Sequence, residues 1–574
     1  MRKISLRFPL ILLFTAVLNA APQLRLSQTV VGPVSVAVGS NATAPSIEIT
    51  NIGDGTLNPR LTSSAAWLVP SLGQARECSF VRQSCTPVQF ALNTATLTRG
   101  SYTGTVTISD PAALDAPQTV TVTVQVGGGV PDRVDLYLPP NGTTTEVRFN
   151  TSSPLSATAS SQTGGDWLAV SQEGAGSFRF SFPYRIIATR RGLSEGSYQG
   201  SLVTSGSPVA AENRTVPITL RVTTQPIAEV TPDRLLFRIA PNSARQTQFV
   251  SLANRGLGSL EISGVTPAAG AGGTWLTAER VPNQPSVSVS ANPANLAPGT
   301  YSGSVSVVTN SVQGTISIPV QLEVVAAGAP TTAFQGVVNN ATFEAGDVVS
   351  QGSIVAVFGE QFTTSEAQSA TTLPLPTAFG GVRVLVNDQP APIYYLSYGQ
   401  INFQIPYNAA AGDAVVRVER DGQRSNGISV RIASRAPELL QFLGTYAIAV
   451  NQDGSFAVPR RAGLNSRPAR PGETLVFYAI GLGPTVPAVN TGAAAPVDPL
   501  ARVPGEMRVN FGVPGPFGAG YVEAVPLFAG LTPNFVGLYQ VNVTIPADAP
   551  RGDAVPVVLV GESGASNTVS IAIE

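Results

Sequence analysis

The sequence predicts an all-β chain of tandem β-sandwiches, and three observations carry that expectation. Glycine and proline are abundant (56 and 47 of 574 residues) and only 12% of residues are charged, a composition that favours short strands joined by tight turns over helices. A Trp-Leu pair followed by a G-[ST]-Y-x-G element and an alternating strand occurs three times in the N-terminal half. A strand reading Q-[IV]-N-x-x-I-P occurs twice in the C-terminal half, as Gln400 to Pro406 and again as Gln540 to Pro546.

Length alone argues for roughly four to six domains. The motifs divide the chain into a leader (1–21), three similar units (22–127, 128–225 and 226–328) and a duplicated C-terminal module (329–435 and 436–574). Short linkers between sandwiches predict a semi-rigid rod.

The leader carries Arg2, Lys3 and Arg7, then the apolar run Leu10 to Leu18, then Ala20 and Ala21, which reads as a secretory signal. The run is too short to span a bilayer, and no later stretch is apolar enough to do so. The expected location is therefore the periplasm or the cell exterior, with no transmembrane segment in the mature chain.

In the first unit Trp67-Leu68 precedes Arg99-Gly100-Ser101-Tyr102-Thr103-Gly104. The second has Trp167-Leu168 and Glu195-Gly196-Ser197-Tyr198-Gln199-Gly200, and the third has Trp275-Leu276 and Pro298-Gly299-Thr300-Tyr301-Ser302-Gly303. These are the three Trp of the protein. Each is expected to fill the space between two sheets, with a turn at the glycines and every second residue of the following strand facing inward. The alternative for Trp67, Trp167 and Trp275 is a ligand-stacking surface ring. The three units resemble the BACON-like domains of bacterial surface proteins, and that resemblance implies an immunoglobulin-like fold and points to carbohydrate as a ligand.

Cys78 and Cys85, the two cysteines, lie in a polar loop of the first unit, and in an exported chain they are expected to form a disulfide. Redox or zinc chemistry is disfavoured by the spacing and by the lack of any histidine.

The duplicated module repeats landmarks in order: Gln400 and Gln540, Gly412-Asp413-Ala414-Val415 and Gly552-Asp553-Ala554-Val555, Ser425-Asn426 and Ser566-Asn567. Gln400, Asn402, Gln540 and Asn542 are read as structural amides that satisfy backbone groups of adjoining loops, the alternative being a pair of ligand-binding amides. With Gly352-Ser353-Ile354-Val355, Gly380-Gly381-Val382 and Gly481-Leu482-Gly483-Pro484, these residues resemble the Solibacter-type C-terminal domain, a module at the ends of large exported proteins of Acidobacteria. The resemblance implies export and a pair of β-sandwiches, and it brings no catalytic residues.

Function classes narrow by absence. There is no histidine, and Lys3 is the only lysine, so the mature chain lacks the commonest general base, metal ligand and Schiff-base amine. A formal net charge of -1 attracts neither nucleic acid nor an anionic membrane. Asn451-Gln452-Asp453-Gly454-Ser455 starts like a calcium loop but lacks its later acidic positions, and Arg551-Gly552-Asp553 is explained by the duplicated turn. No cofactor is expected, and no enzyme; a glycosidase working with two carboxylates is the enzymatic alternative. The expected function is a structural or binding role at the cell surface, with polysaccharide as partner. The competing expectation is a module that docks on an export or envelope protein.

Overall fold

The computed structural model describes residues 21–79, 82–173, 182–343, 348–461, 463–512, 520–562 and 564–574; the leader, residues 1–20, lies outside them. Among these residues there is no α-helix, and ten sheets pair into sandwiches around five apolar cores. The fold is a tandem array of immunoglobulin-like β-sandwiches. No helix among the described residues is long and apolar enough to cross a membrane.

All five sandwiches share a device that the sequence does not announce, in the last of them through Tyr446 beside Ser570. In the first, Leu24–Leu26 pairs antiparallel with Ala42–Asn51, and the chain then crosses so that Val30–Val36 runs parallel to Gln118–Val126 in the other sheet. Val134–Leu138, Leu235–Ile239 and Val348–Ser350 likewise run parallel to the last strand of their own units. The opening segment thereby stitches the two sheets at a corner. Its partner strand closes the unit, far away in sequence, so no local pattern reveals it.

The repeated Trp-Leu and G-[ST]-Y-x-G motifs form a single packing device. Trp167 and Trp275 are 2% and 3% exposed, and Trp67 is half-buried against the first core. The Trp167 and Trp275 indole N–H groups donate to the carbonyls of Thr163 and Ala271 (2.7 and 3.3 Å). The second glycine of each motif lies under the Trp-Leu pair. A Cβ on Gly104, Gly200 or Gly303 would sit 3.2–3.3 Å from the indole Cζ2 and 2.8–3.3 Å from the leucine Cδ2. Each motif tyrosine donates its hydroxyl to the carbonyl four residues earlier, Thr98, Ser194 and Ala297 (3.0, 2.9 and 2.9 Å), a tyrosine corner. The motif is thus the start of the strands Gly100–Ser109, Gly196–Ser205 and Gly299–Thr309, where a turn was expected.

Cys78 and Cys85 are joined by a disulfide that ties the loop to the strand Ser84–Leu92. Thiol titration of the unfolded, unreduced protein should find no reactive thiol, and reduction should cost the first sandwich about 2–3 kcal/mol by loop entropy.

In the duplicated module the two copies are built alike. Gln400–Gln404 pairs with Ile354–Glu360, and Tyr539–Thr544 with Thr474–Ile480, placing Asn402 opposite Ala356 and Asn542 opposite Val476. The Ser-Asn pair is a staple in both. Asn426 accepts from the Thr332 N–H and donates to its carbonyl (2.8 and 3.0 Å), and Asn567 does the same with Leu439 (2.7 and 3.0 Å). A side-chain amide thus imitates one rung of a strand ladder. Gly481 lets the linker between the copies pass close, since a Cβ there would lie 1.9 Å from the Ala436 carbonyl oxygen.

The expected rod is not what the chain forms. The first sandwich folds back onto the third and fourth. Thr105 Oγ1 of the first donates to Glu323 of the third (3.1 Å), Gln321 Nε2 to the Thr103 carbonyl (3.3 Å), and the Gly427 N–H of the fourth to the Leu114 carbonyl (2.7 Å). Tyr398 of the fourth is 4% exposed and belongs to the third core, where its oxygen accepts the Ala240 N–H (2.8 Å). Polar outer faces, not linker stiffness, decide the arrangement.

Candidate functional site

The fold-back encloses a cleft of about 830 Å³ between the first, third and fourth sandwiches. Its floor is an outer sheet face of the first sandwich. In Gln118–Val126 the valines at 120, 122, 124 and 126 point into the core, so Thr119, Thr121 and Thr123 point out. On the adjacent Gly100–Ser109, Thr107, Thr105 and Thr103 stand opposite those three in register, and Thr62 continues the Thr107–Thr119 row. Neighbouring strands place the hydroxyls of a row about 4.8 Å apart. Five of these threonines, at 62, 105, 107, 119 and 121, line the cleft.

The charged wall is a single cluster. Arg238, from the third sandwich, reaches Glu323 of its own sheet and Glu360 of the fourth sandwich at 2.5 Å each, and donates to Thr105 Oγ1 at 2.6 Å. Burial works against the Arg238 charge, yet Glu360 and Glu323 together raise its pKa above the ordinary arginine value. Burial likewise holds the Glu360 carboxyl above its usual range, although Arg238 draws it back. The Tyr398 hydroxyl nearby is held well above the tyrosine range, first by burial and then by Glu360. At the rim, Val30 and Phe334 are 62% and 41% exposed.

A second cleft of about 390 Å³ lies in the seam between the first and fourth sandwiches. Gln118, Ala333 and Phe334 line both. Asp115 faces this seam. Burial raises its pKa, although the Leu24 N–H is bound at 2.6 Å.

The residues singled out in the sequence lie elsewhere. Trp167 and Trp275 leave no ring face for a ligand, which corrects the stacking alternative for both. Gln400 and Asn402 bond each other (2.8 Å), as do Gln540 and Asn542 (3.3 Å), so these amides do not serve the adjoining loops. Gln404 takes that role, donating to the Gly352 carbonyl (3.0 Å) and accepting the Gly492 N–H of the last sandwich (2.6 Å). In the loop that starts like a calcium site, Asp453 binds Ser455 and the Arg467 guanidinium (2.6 Å), so an internal cation already neutralises it. The threonine rows are legible as T-V-T-V-T, but their facing a cleft is not.

No family model matches the chain, and no characterised protein matches it in sequence. Among solved structures, it is similar to an endo-fucoidan hydrolase, MfFcnA4, from glycoside hydrolase family 107 (14% identity, 54% of this chain and 45% of that one, TM-score 0.18). The chain thus spans less than half of that hydrolase. It is also similar to the human desmocollin-1 ectodomain (10% identity, 72% and 79% covered, TM-score 0.15) and to the protocadherin gamma B4 extracellular domain (12%, 90% and 95%, TM-score 0.14). These scores carry no argument about the site.

Proposed function

We propose that the protein is an exported, non-catalytic binding protein that holds a polysaccharide in the cleft between its first, third and fourth sandwiches. The observation that carries this reading is the threonine floor. The hydroxyls of Thr62, Thr107, Thr119 and Thr121, each donor and acceptor, on strands whose backbone groups are already paired, offer side-chain hydrogen bonds to a ligand rich in hydroxyls, with Phe334 at the rim to cover a sugar face. The disulfide supports an oxidising, extracellular setting. A non-catalytic role is supported by the carboxylates, since Glu323 and Glu360 are both committed to Arg238.

The test is affinity electrophoresis of the mature chain through gels containing soluble polysaccharides. Retardation by at least one is expected, and Thr119→Val with Thr121→Val, which keeps side-chain shape and removes two hydroxyls, should weaken it at least tenfold, about 1.4 kcal/mol. An unretarded chain across the panel, or retardation indifferent to the double variant, sinks the reading.

A further inference from the structure

The duplicated strand carries its amides on an outer face. Ile401 and Phe403 are buried in the fourth core, so Gln400 and Asn402 point the other way, where both are half-buried. Gln400 Nε2 donates to Asn402 Oδ1 (2.8 Å), and among the described residues the Gln400 Oε1 acceptor and the Asn402 Nδ2 donor remain unspent. The register sets Phe358 opposite Gln400 on one side and Tyr395 opposite Asn402 on the other. The second copy repeats this, with Tyr478 opposite Gln540 and Phe528 opposite Asn542. Each copy thus holds an amide pair between two aromatic side chains whose strands lie two spacings, about 9.6 Å, apart.

The second copy is closed from within. Arg502 stands opposite Gly530, itself opposite Gln540, and its guanidinium lies 4.9 Å from the centre of the Phe528 ring, which is buried. In the first copy Ser397, whose N–H donates to the Gln400 carbonyl, is the counterpart of Gly530. Gln368 pairs with Leu396, so Ala367, one residue earlier, holds the place of Arg502. Ala367 is exposed, and a methyl group cannot cover a ring. Tyr395 is half-buried, Tyr394 beside it is exposed, and the exposed Phe343 extends the line beyond Phe358, ring centres 6.5 Å apart. No acidic or basic side chain stands in this row, and Phe358, Tyr395, Gln400 and Asn402 line neither cleft.

We infer that the outer face around Gln400 and Asn402 is a second binding platform, on which uncharged sugar rings of a polysaccharide lie flat. A sugar offers a C–H face to Tyr395 or Phe358 and hydroxyls to the Asn402 donor and the Gln400 acceptor. Arg502 fills the equivalent place in the second copy, so the chain has one open platform and one closed. The ligand class rests on the polysaccharide reading above, whereas the site is separate from the cleft.

Affinity electrophoresis of the full mature chain carrying Thr119→Val and Thr121→Val isolates the platform, with glucan, xylan and mannan as neutral polymers and polygalacturonate as the acidic control. Residual retardation by a neutral polymer is expected. Ala367→Arg, at an exposed position, supplies the closing guanidinium and should weaken that residue of binding about tenfold, as should Tyr395→Ala. Arg502→Ala should open the second platform and strengthen retardation at least twofold through two sites on one polymer. Residual retardation untouched by Ala367→Arg and Tyr395→Ala, no gain from Arg502→Ala, or retardation by the acidic polymer alone overturns the platform. So does the loss of all retardation in the threonine background while the parent is still retarded, and that result leaves the cleft in place. A parent that no polysaccharide retards sinks the cleft and the platform together.

Discussion

Trp167→Ala is expected to destabilise the second sandwich by about 3–5 kcal/mol, the range for removing a buried aromatic ring from a core. The ring is 2% exposed, packs among residues that include Leu168 and Leu202, and its N–H is bonded to Thr163. The loss combines burial, a cavity that the two sheets cannot close, and an orphaned carbonyl. Gly200→Ala alone should cost about 1–3 kcal/mol through overpacking, because its Cβ would meet Leu168 Cδ2 at 2.8 Å and the Ser160 carbonyl oxygen at 3.0 Å. In the Trp167→Ala background the glycine change should cost less, since one of the crowded neighbours is gone. Chemical denaturation of both single variants and the double variant measures this coupling, and strictly additive losses would show that the motif is not one packing unit. Polysaccharide retardation of folded Trp167→Ala should match the parent; its loss would restore the stacking role.

Arg238→Met should be as damaging, for an electrostatic reason. Glu323 has a side chain only 5% exposed, and Glu360 is 29% exposed; without the guanidinium both lose their cation, and Glu323 keeps the Thr105 hydroxyl. Breaking a buried ion pair from one side costs about 3–5 kcal/mol. The sign with pH follows from linkage. Burial already holds the Glu360 carboxyl above the ordinary glutamate value of 4.5, and the variant removes the Arg238 charge that draws it back. The Glu360 part of the penalty is therefore full above its raised value and shrinks as pH falls through that value toward 4.5. Arg238→Met should thus recover stability relative to the parent on mild acidification, and Glu323→Gln with Glu360→Gln added should restore part of it at neutral pH. Small-angle scattering should show a larger radius of gyration for Arg238→Met, because the residue that joins the first, third and fourth sandwiches is gone. An unchanged radius and a pH-independent loss would mean that the cluster does not hold the fold-back.

Most of the fold was legible for reasons local to each strand. The alternation in Gln118–Val126 assigns valines inward and threonines outward because a strand's period is two residues. Trp-Leu, the G-[ST]-Y-x-G element and the disulfide were visible because each recurs or pairs over short range, although the element opens a strand where a turn was expected. The amides of the duplicated strand have partners other than the loops expected, because Gln400 and Asn402 share one face of a strand and reach each other first.

What the sequence determined by itself, then, was the sandwich unit and its duplication: these follow from side-chain period and turn chemistry, which act within a strand or between close neighbours. Only the tertiary structure decided which outer faces meet. Thr105 and Glu323 are 218 residues apart, and Arg238 looks like any surface arginine until two carboxylates and a threonine close over it. A polar face destined for solvent and one destined for another sandwich carry the same alternating pattern, because both are satisfied by water in the isolated unit. The difference is made when a second surface of matching shape and charge replaces that water, and it is this replacement that creates the cleft.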